Sequence, residues 1–245
     1  MKTICAKGRE SRELNDAIRE AGDCLVTDCL GQRFLGAGLP SGHIEIDGVP
    51  GNALGAYCNG AKITVHGNAQ DAVGDTMNDG EIVVCGCIGD AAGYAMRGGS
   101  IFVRDDAGYR AGIHMKEYKE KVPILVIGGC AGSFLGEYQA GGVIVVLGQN
   151  GDGRPIVGEF PCTGMHGGRM FLRGTCEGII FPPQVTASPA TEEDRAILAP
   201  LVKAYAARFD REAGDLLASP YTVVKPDSRN PYKRMYVENG ARRFP

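Results

Sequence analysis

His43-Ile44-Glu45-Ile46, Lys62-Ile63-Thr64-Val65, Glu81-Ile82-Val83-Val84 and Ser100-Ile101-Phe102-Val103 decide how this chain folds, because each begins 19 residues after the last. Ile124-Leu125-Val126-Ile127 follows after 24 residues, Val143-Ile144-Val145-Val146 after 19, and Arg169-Met170-Phe171-Leu172 after 26. A fixed period of short strands is the signature of a stacked, coiled architecture. Side chains alternate along a strand, so Ile44 and Ile46, Ile63 and Val65, and their equivalents up to Met170 and Leu172 face one way and form an interior. The residues between the first strands are Gly-rich and show no helical periodicity, which excludes a βαβ sheet. The expectation is an all-β solenoid: a single-stranded parallel β-helix of about seven rungs, roughly 29 Å tall at the strand spacing of a sheet. The β-helix takes residues 41–185, preceded by an N-terminal helix and lead-in over 1–40 and followed by a C-terminal helix and extended arm over 186–245.

Glycine follows the same period. Gly55, Gly74, Gly93 and Gly112 hold the 19-residue spacing, and Gly136 and Gly158 continue it less regularly. Corners need backbone with φ > 0 or contact without a Cβ, and glycine supplies both. The chain has 37 glycines in 245 residues, but no Gly-X-Y triplet, and 44% of its residues are hydrophobic, so neither collagen nor disorder explains them.

The outward strand positions read Glu45, Thr64, Val83, Phe102, Val126, Val145 and Phe171, polar at first and then apolar. A solvated face would not change in this way, so the later positions are covered, either by the C-terminal segment or by a partner. Phe102, Val126, Val145 and Phe171 are therefore docking candidates. The 24-residue gap adds five residues, located to Met115–Pro123. It carries Lys116, Glu117, Tyr118 and Lys119, a charged projection of the kind solenoids use for binding. The 26-residue gap adds seven, spread over 149–168, and both excesses are placed on one edge.

Composition narrows the function. The net charge is −3, with no basic cluster interleaved with aromatics, so nucleic acid is not an expected partner. No run of 18 apolar residues exists, and Met1-Lys2-Thr3-Ile4 leads into a polar segment, so a cytoplasmic protein without membrane contact is expected. The nine cysteines contain no Cys-x-x-Cys and no zinc or cluster spacing; reduced thiols filling small core sites are the expected state.

Candidate chemistry is sparse. Gly148-Gln149-Asn150-Gly151-Asp152-Gly153-Arg154 lacks the Gly-Lys-Ser/Thr of a phosphate loop and reads as a wide turn. His43, His66, His114 and His166 lie on different rungs, and stacking would bring at most two together. Cys162 near His166 permits a thiolate–base pair in principle. Asp71, Asp75, Asp90, Asp105 and Asp106 are the nearest approach to stacked carboxylates. No catalytic, cofactor-binding or metal-binding residue is assigned.

At the ends, Ser11 is positioned to cap a helix with Leu14, Ala17, Ile18 and Ala21 on one face, ended by Gly22. Thr191-Glu192-Glu193-Asp194 starts a second helix, with a kink expected at Pro200.

Gly67-Asn68-Ala69-Gln70-Asp71-Ala72-Val73-Gly74-Asp75 and Gly86-Cys87-Ile88-Gly89-Asp90-Ala91-Ala92-Gly93 resemble the GXGXG repeat of glutamate synthase. The tail, with Leu201-Val202-Lys203-Ala204-Tyr205, Val223-Val224-Lys225-Pro226 and Tyr232-Lys233-Arg234, is similar to the end of that enzyme's large subunit. The resemblance covers nearly all 245 residues and implies a right-handed β-helix. The amidotransferase nucleophile, FMN barrel and iron–sulphur cysteines of that enzyme are not in this chain. The resemblance therefore implies a standalone, non-catalytic subunit, a component of an oxidoreductase, that braces an amidotransferase subunit and an FMN-binding subunit in glutamate biosynthesis. FMN and iron–sulphur clusters are expected on those partners and no cofactor in this chain. A non-catalytic component of formylmethanofuran dehydrogenase has the same repeat, so a scaffold of that kind of complex is one alternative. An independent β-helix binding protein or enzyme is the other. A homo-oligomer is left open.

Overall fold

A computed structural model describes residues 1–149, 151 and 153–227. Nine strands stack in parallel and in sequence order: β1 (Lys2–Cys5), β2 (Cys24–Leu30), β3 (His43–Val49), β4 (Asn59–Val65), β5 (Asp79–Val84), β6 (Ser100–Val103), β7 (Ile124–Ile127), β8 (Ala140–Val146) and β9 (Gly167–Arg173). The result is a parallel β-solenoid of about eight turns. The register is the one the repeat dictates: Ile44 pairs with Ile63, Ile63 with Ile82, Ile82 with Ile101, Ile101 with Leu125, Leu125 with Ile144 and Ile144 with Met170. These aliphatics are buried, as are their partners two residues on, from Ile46 to Leu172. Three further columns complete the interior: Ala69, Ile88, Ala107, Ala131 and Val157; Leu54, Val73, Ala92, Ala111 and Leu135; and Cys58, Met77, Met96, Met115 and Gln139. Like side chains stacked at strand spacing fill the core with methyl, thioether and thiol groups.

The lead-in is more regular than its sequence. Residues 1–40 add β1 and β2 to the same sheet, with Cys24 beside Ile44 and Lys2 beside Cys24. Helix α1 (Ser11–Ala21) replaces the corner of that first turn and buries Leu14 and Ile18 against the open end of the core. Its cap differs from expectation: Glu10 occupies the N-cap, and the Ser11 hydroxyl instead accepts the Arg33 N–H at 2.9 Å. Gly22 ends the helix with φ +70°.

At the other end the chain reverses. β10 (Val185–Pro189) leads to α2 (Glu192–Arg208), α3 (Ala213–Ala218) and β11 (Tyr221–Pro226). β11 inserts antiparallel between β9 and β10, so the C-terminal stretch that reads as an extended arm is, over 221–226, a strand of the main sheet. Residues 228–245 of that arm lie outside the described residues. Thr191 and Asp194 form the capping box of α2. The helix runs through Pro200, which faces solvent, between the buried Leu198 and Val202. Asp194 is buried, within 3.1 Å of Arg169 and 2.6 Å of Lys225. Burial alone would raise its carboxyl, but the Lys225 ammonium and the Thr191 hydroxyl and amide outweigh it and hold the group below its usual value.

Candidate docking surface

After the first turn, where α1 takes its place, the solenoid rounds one corner in each turn through three left-handed residues at alternate positions, such as Ala72, Gly74 and Thr76, or Ala91, Gly93 and Ala95. The central member is Gly36, Gly55, Gly74, Gly93, Gly112 and Gly136 in succession, and at every one of these but Gly93 the missing Cβ has a steric cause. A Cβ on Gly55 would lie 2.5 Å from Ile82 Cδ1, on Gly74 2.5 Å from Ile101 Cδ1, on Gly112 2.4 Å from Ile144 Cδ1 and on Gly136 2.6 Å from Met170 Cε. These corners thus press on a core side chain two strands further up the stack, whereas at Gly93 the nearest atoms lie 3.8 Å away.

Gly158 does not continue this column. Its N–H donates to the Ala131 carbonyl, whereas the Cys162 N–H donates to Leu135, the equivalent of the bond from Gly136 to Ala111. Cys162, at φ +62°, is the true successor. A side chain is accommodated there because no parallel strand follows β9 to supply the opposing core residue. The difference comes from the last insertion. Val157 bridges Ala131 while Val146 pairs with Ile127, so all seven extra residues fall within 147–156. They follow β8, whereas the five extra residues precede β7, so the two insertions occupy different corners and not one edge.

The apolar outer column is not a free surface. Phe102, Val126, Val145 and Phe171 pack with Leu198, Val202 and Tyr205 of α2 and with Leu216, Tyr221 and Val223. The chain covers them itself. The Tyr205 hydroxyl lies 2.9 Å from the Arg104 carbonyl and 2.8 Å from Gln149 Oε1, and burial pushes its pKa up to about 12, so it remains a neutral donor. Arg208 stacks 4.1 Å from the Phe102 ring centroid and pairs with Glu81.

The first insertion is an exposed hairpin closed by a Tyr118–Lys121 bridge. Lys121 Nζ reaches Asp79 at 2.8 Å, and Glu117 Oε1 accepts the Gly142 N–H at 3.0 Å, so the loop is tied to strands on both sides. Lys116, Tyr118 and Lys119 remain exposed. Tyr118 also lines a groove of about 380 Å³ with Tyr57, Asn59, Asn78, Arg97 and Lys121.

The most developed surface was not evident from the sequence. At the three-residue corner the upper turns carry two aromatic ladders. One runs Tyr109, Phe134, Phe160, with centroids 5.3 and 5.2 Å apart. The other runs Tyr94, His114, Tyr138, at 5.8 and 5.2 Å, with the last two rings stacked. Arg110 lies over Tyr109 and Phe134 at 4.8 and 5.5 Å and pairs with Glu137 at 2.7 Å, joining the ladders. Part of the signal was present: Phe134 and Phe160, and His114 and Tyr138, align once the five- and seven-residue insertions are removed, but the second insertion was placed too broadly. Tyr94 and Tyr109 stand one residue before the equivalent positions, which Ala95 and Arg110 hold.

The candidate reactive groups are occupied by the fold. Asp71 Oδ1 accepts the Asp90 N–H at 2.9 Å and Asp90 Oδ1 accepts the Tyr109 N–H at 2.8 Å; Asp106 Oδ1 does the same for Cys130 at 2.8 Å. Asp75 accepts the Thr76 hydroxyl, and Asp105 pairs with Arg104 at 2.8 Å. Asp71, Asp90 and Asp106 thus brace one turn to the next, while Asp75 and Asp105 bond their chain neighbours. His43 and His66 both approach Glu45, His114 belongs to the second ladder, and His166 Nδ1 lies 2.9 Å from the Gly164 carbonyl. Cys162 does not engage His166. It is buried against Met170 Sδ at 3.6 Å, and burial pushes its thiol up to about 12. None of the nine cysteines is joined in a disulfide, and no cluster of three metal-ligating side chains occurs among the described residues. No helix of the described residues is long and apolar enough to cross a membrane.

A parallel solenoid whose corners are set by alternating left-handed residues around a glycine defines a structural class. Within it, the chain belongs to the GXGXG motif family, whose model matches residues 5–226, and it carries a domain of the glutamate synthase type. It is also 43% identical over 249 residues to a protein of Methanocaldococcus jannaschii described only as uncharacterised, covering 96% of this chain and 95% of the relative.

Proposed function

We propose that this protein is a non-catalytic structural subunit of a multi-subunit glutamate synthase. In this reading it braces an amidotransferase subunit and an FMN-binding subunit while glutamate is made from glutamine and 2-oxoglutarate. The reading rests on one observation: a chain that matches the GXGXG motif family over 5–226 has an interior filled with stacked aliphatic, thioether and buried thiol groups. The carboxylates nearest to a catalytic stack accept backbone N–H groups of the following turn. A rigid prism with tied-down projections suits the positioning of other subunits. Lys116, Glu117, Tyr118 and Lys119, on a hairpin anchored to the strands on both sides, supply the projecting contact. FMN and iron–sulphur clusters belong to the partners.

The test is reconstitution from separately purified amidotransferase and FMN-binding subunits with and without this chain. Glutamine-dependent glutamate formation should require it, and Tyr118→Ala with Lys119→Ala should weaken assembly. Equal activity and equal assembly in its absence would refute the reading.

A further inference from the structure

We propose that the two aromatic ladders form a self-association surface, on which a second copy of this chain docks about a two-fold axis running along the solenoid. Phe160, Tyr138, Tyr94 and Tyr109 expose 57%, 43%, 40% and 37% of their surface. At about 200 Å² per aromatic residue that is roughly 350 Å² of ring surface on one face. Phe134, His114, Arg110 and the flanking residues bring the face toward the roughly 800 Å² per partner that a stable interface buries. Its composition, aromatic rings around an Arg already stacked on two of them, is that of an interface centre, where such groups dominate binding. The rings are held rigid by their own stacking, so little side-chain freedom is lost on docking.

The charges around the ladders identify the occupant. In each turn the chain enters the corner just before the first ladder and leaves just after the second. The entering side carries Asp71, Asp90 and Glu159, all exposed; the leaving side carries Arg97 and Lys116, also exposed. Asp79 and Glu117 on the leaving side are engaged by Lys121 and the Gly142 N–H, and Arg154 on the entering side by Asp106, so the charges offered to a partner are acidic on the entering edge and basic on the leaving edge. A two-fold axis along the stack preserves height and exchanges the edges. Asp90 and Arg97 belong to the same turn, so each Asp90 then faces the second copy's basic edge at the level of Arg97. An axis across the stack would set like charges together, which is unfavourable. The inference does not rest on the glutamate synthase reading, because it concerns the chain alone.

Sedimentation velocity on the purified chain, from about 1 to 50 μM, tests it. The chain should sediment as a dimer. Phe160→Asn and Tyr138→Asn remove rings at φ +57° and +53°, a conformation Asn tolerates, so the fold should survive and the dissociation constant should rise at least tenfold for each. Arg97→Glu should weaken the dimer as well, as should Asp90→Asn, which retains the oxygen that accepts the Tyr109 N–H. Circular dichroism melts of each variant establish folding. Leu30→Ser, at an exposed site away from the corner, should leave association unchanged. A monomer across the whole range overturns the proposal, and so does a dimer indifferent to the ring substitutions or to Arg97→Glu.

Discussion

Replacing Gly74 and Gly93 by alanine separates the two reasons a solenoid corner keeps glycine. Both residues are left-handed, at φ +68° and +69°, so each alanine carries the cost of that conformation, about 1–2 kcal/mol. Their surroundings differ. A Cβ on Gly74 would lie 2.5 Å from Ile101 Cδ1 and 3.6 Å from Ile82 Cδ1, whereas on Gly93 the nearest atoms are Leu125 Cδ2 and Met115 Sδ, both at 3.8 Å. Ile101 is fully buried and pairs with strands on both sides, so its methyl can turn aside but cannot leave. Overpacking of that kind costs about 1–3 kcal/mol. Gly74→Ala should therefore lose about 2–5 kcal/mol and Gly93→Ala about 1–2 kcal/mol. Urea titration followed by circular dichroism measures both. Ile101→Val, which removes the offending Cδ1, completes the comparison. Alone it should cost about 1 kcal/mol, yet combined with Gly74→Ala it should recover part of the loss, giving a coupling of about 1–2 kcal/mol. Combined with Gly93→Ala it should be additive. Equal losses for the two alanines, or additivity in both cycles, would show that backbone conformation alone retains the glycines.

Other expectations follow from buried or bonded groups. Asp194→Asn breaks an ion pair with two cations that are about one-third to two-fifths exposed, so about 2–3 kcal/mol should be lost at pH 7, below the range for a fully buried pair. Because the Asp194 carboxyl is held below its unfolded value, its contribution is present above about pH 4 and is lost as the pH falls through the depressed value; the midpoint in urea should drop below that pH, and less steeply in the Asn variant. Asp90→Ala should cost about 1 kcal/mol in thermal melts while Asp90→Asn, which keeps the acceptor for Tyr109, costs little. Native alkylation with iodoacetamide, read by peptide mass spectrometry, should modify the exposed Cys5 and Cys87 first and leave Cys162, with its thiol pushed up to about 12, unmodified until the chain unfolds.

The strand ladder from His43 to Leu172 was legible because inward aliphatics repeat with the backbone and little else competes for those positions. β1 and β2 were less so, since α1 occupies the corner between them and removes the glycine column that marks later turns. Strand β11 was hidden for a different reason: it takes its place by pairing antiparallel with β9, 48 residues earlier for Tyr221 and Arg173, and no local pattern reports such a partner. For the candidate surface, Lys116 to Lys119 were found from a length excess, and the structure makes them an anchored hairpin. Phe102, Val126, Val145 and Phe171 were correctly marked as covered positions, but sequence could not decide between the chain's own helix and another molecule. The aromatic ladders depend on stacking across two insertions of unequal length, so their alignment needed the backbone.

Helix α2 and its contacts reach across the outer face from Arg169 at β9 to Glu81 at β5. That crossing changes how the molecule comes apart. Pulled from its N-terminal end, the chain can shed turns singly, each releasing only its neighbour's contacts, until it reaches Glu81. From there the remaining turns share one clasp, and a force that frees any of them must first lift the helix off all the others.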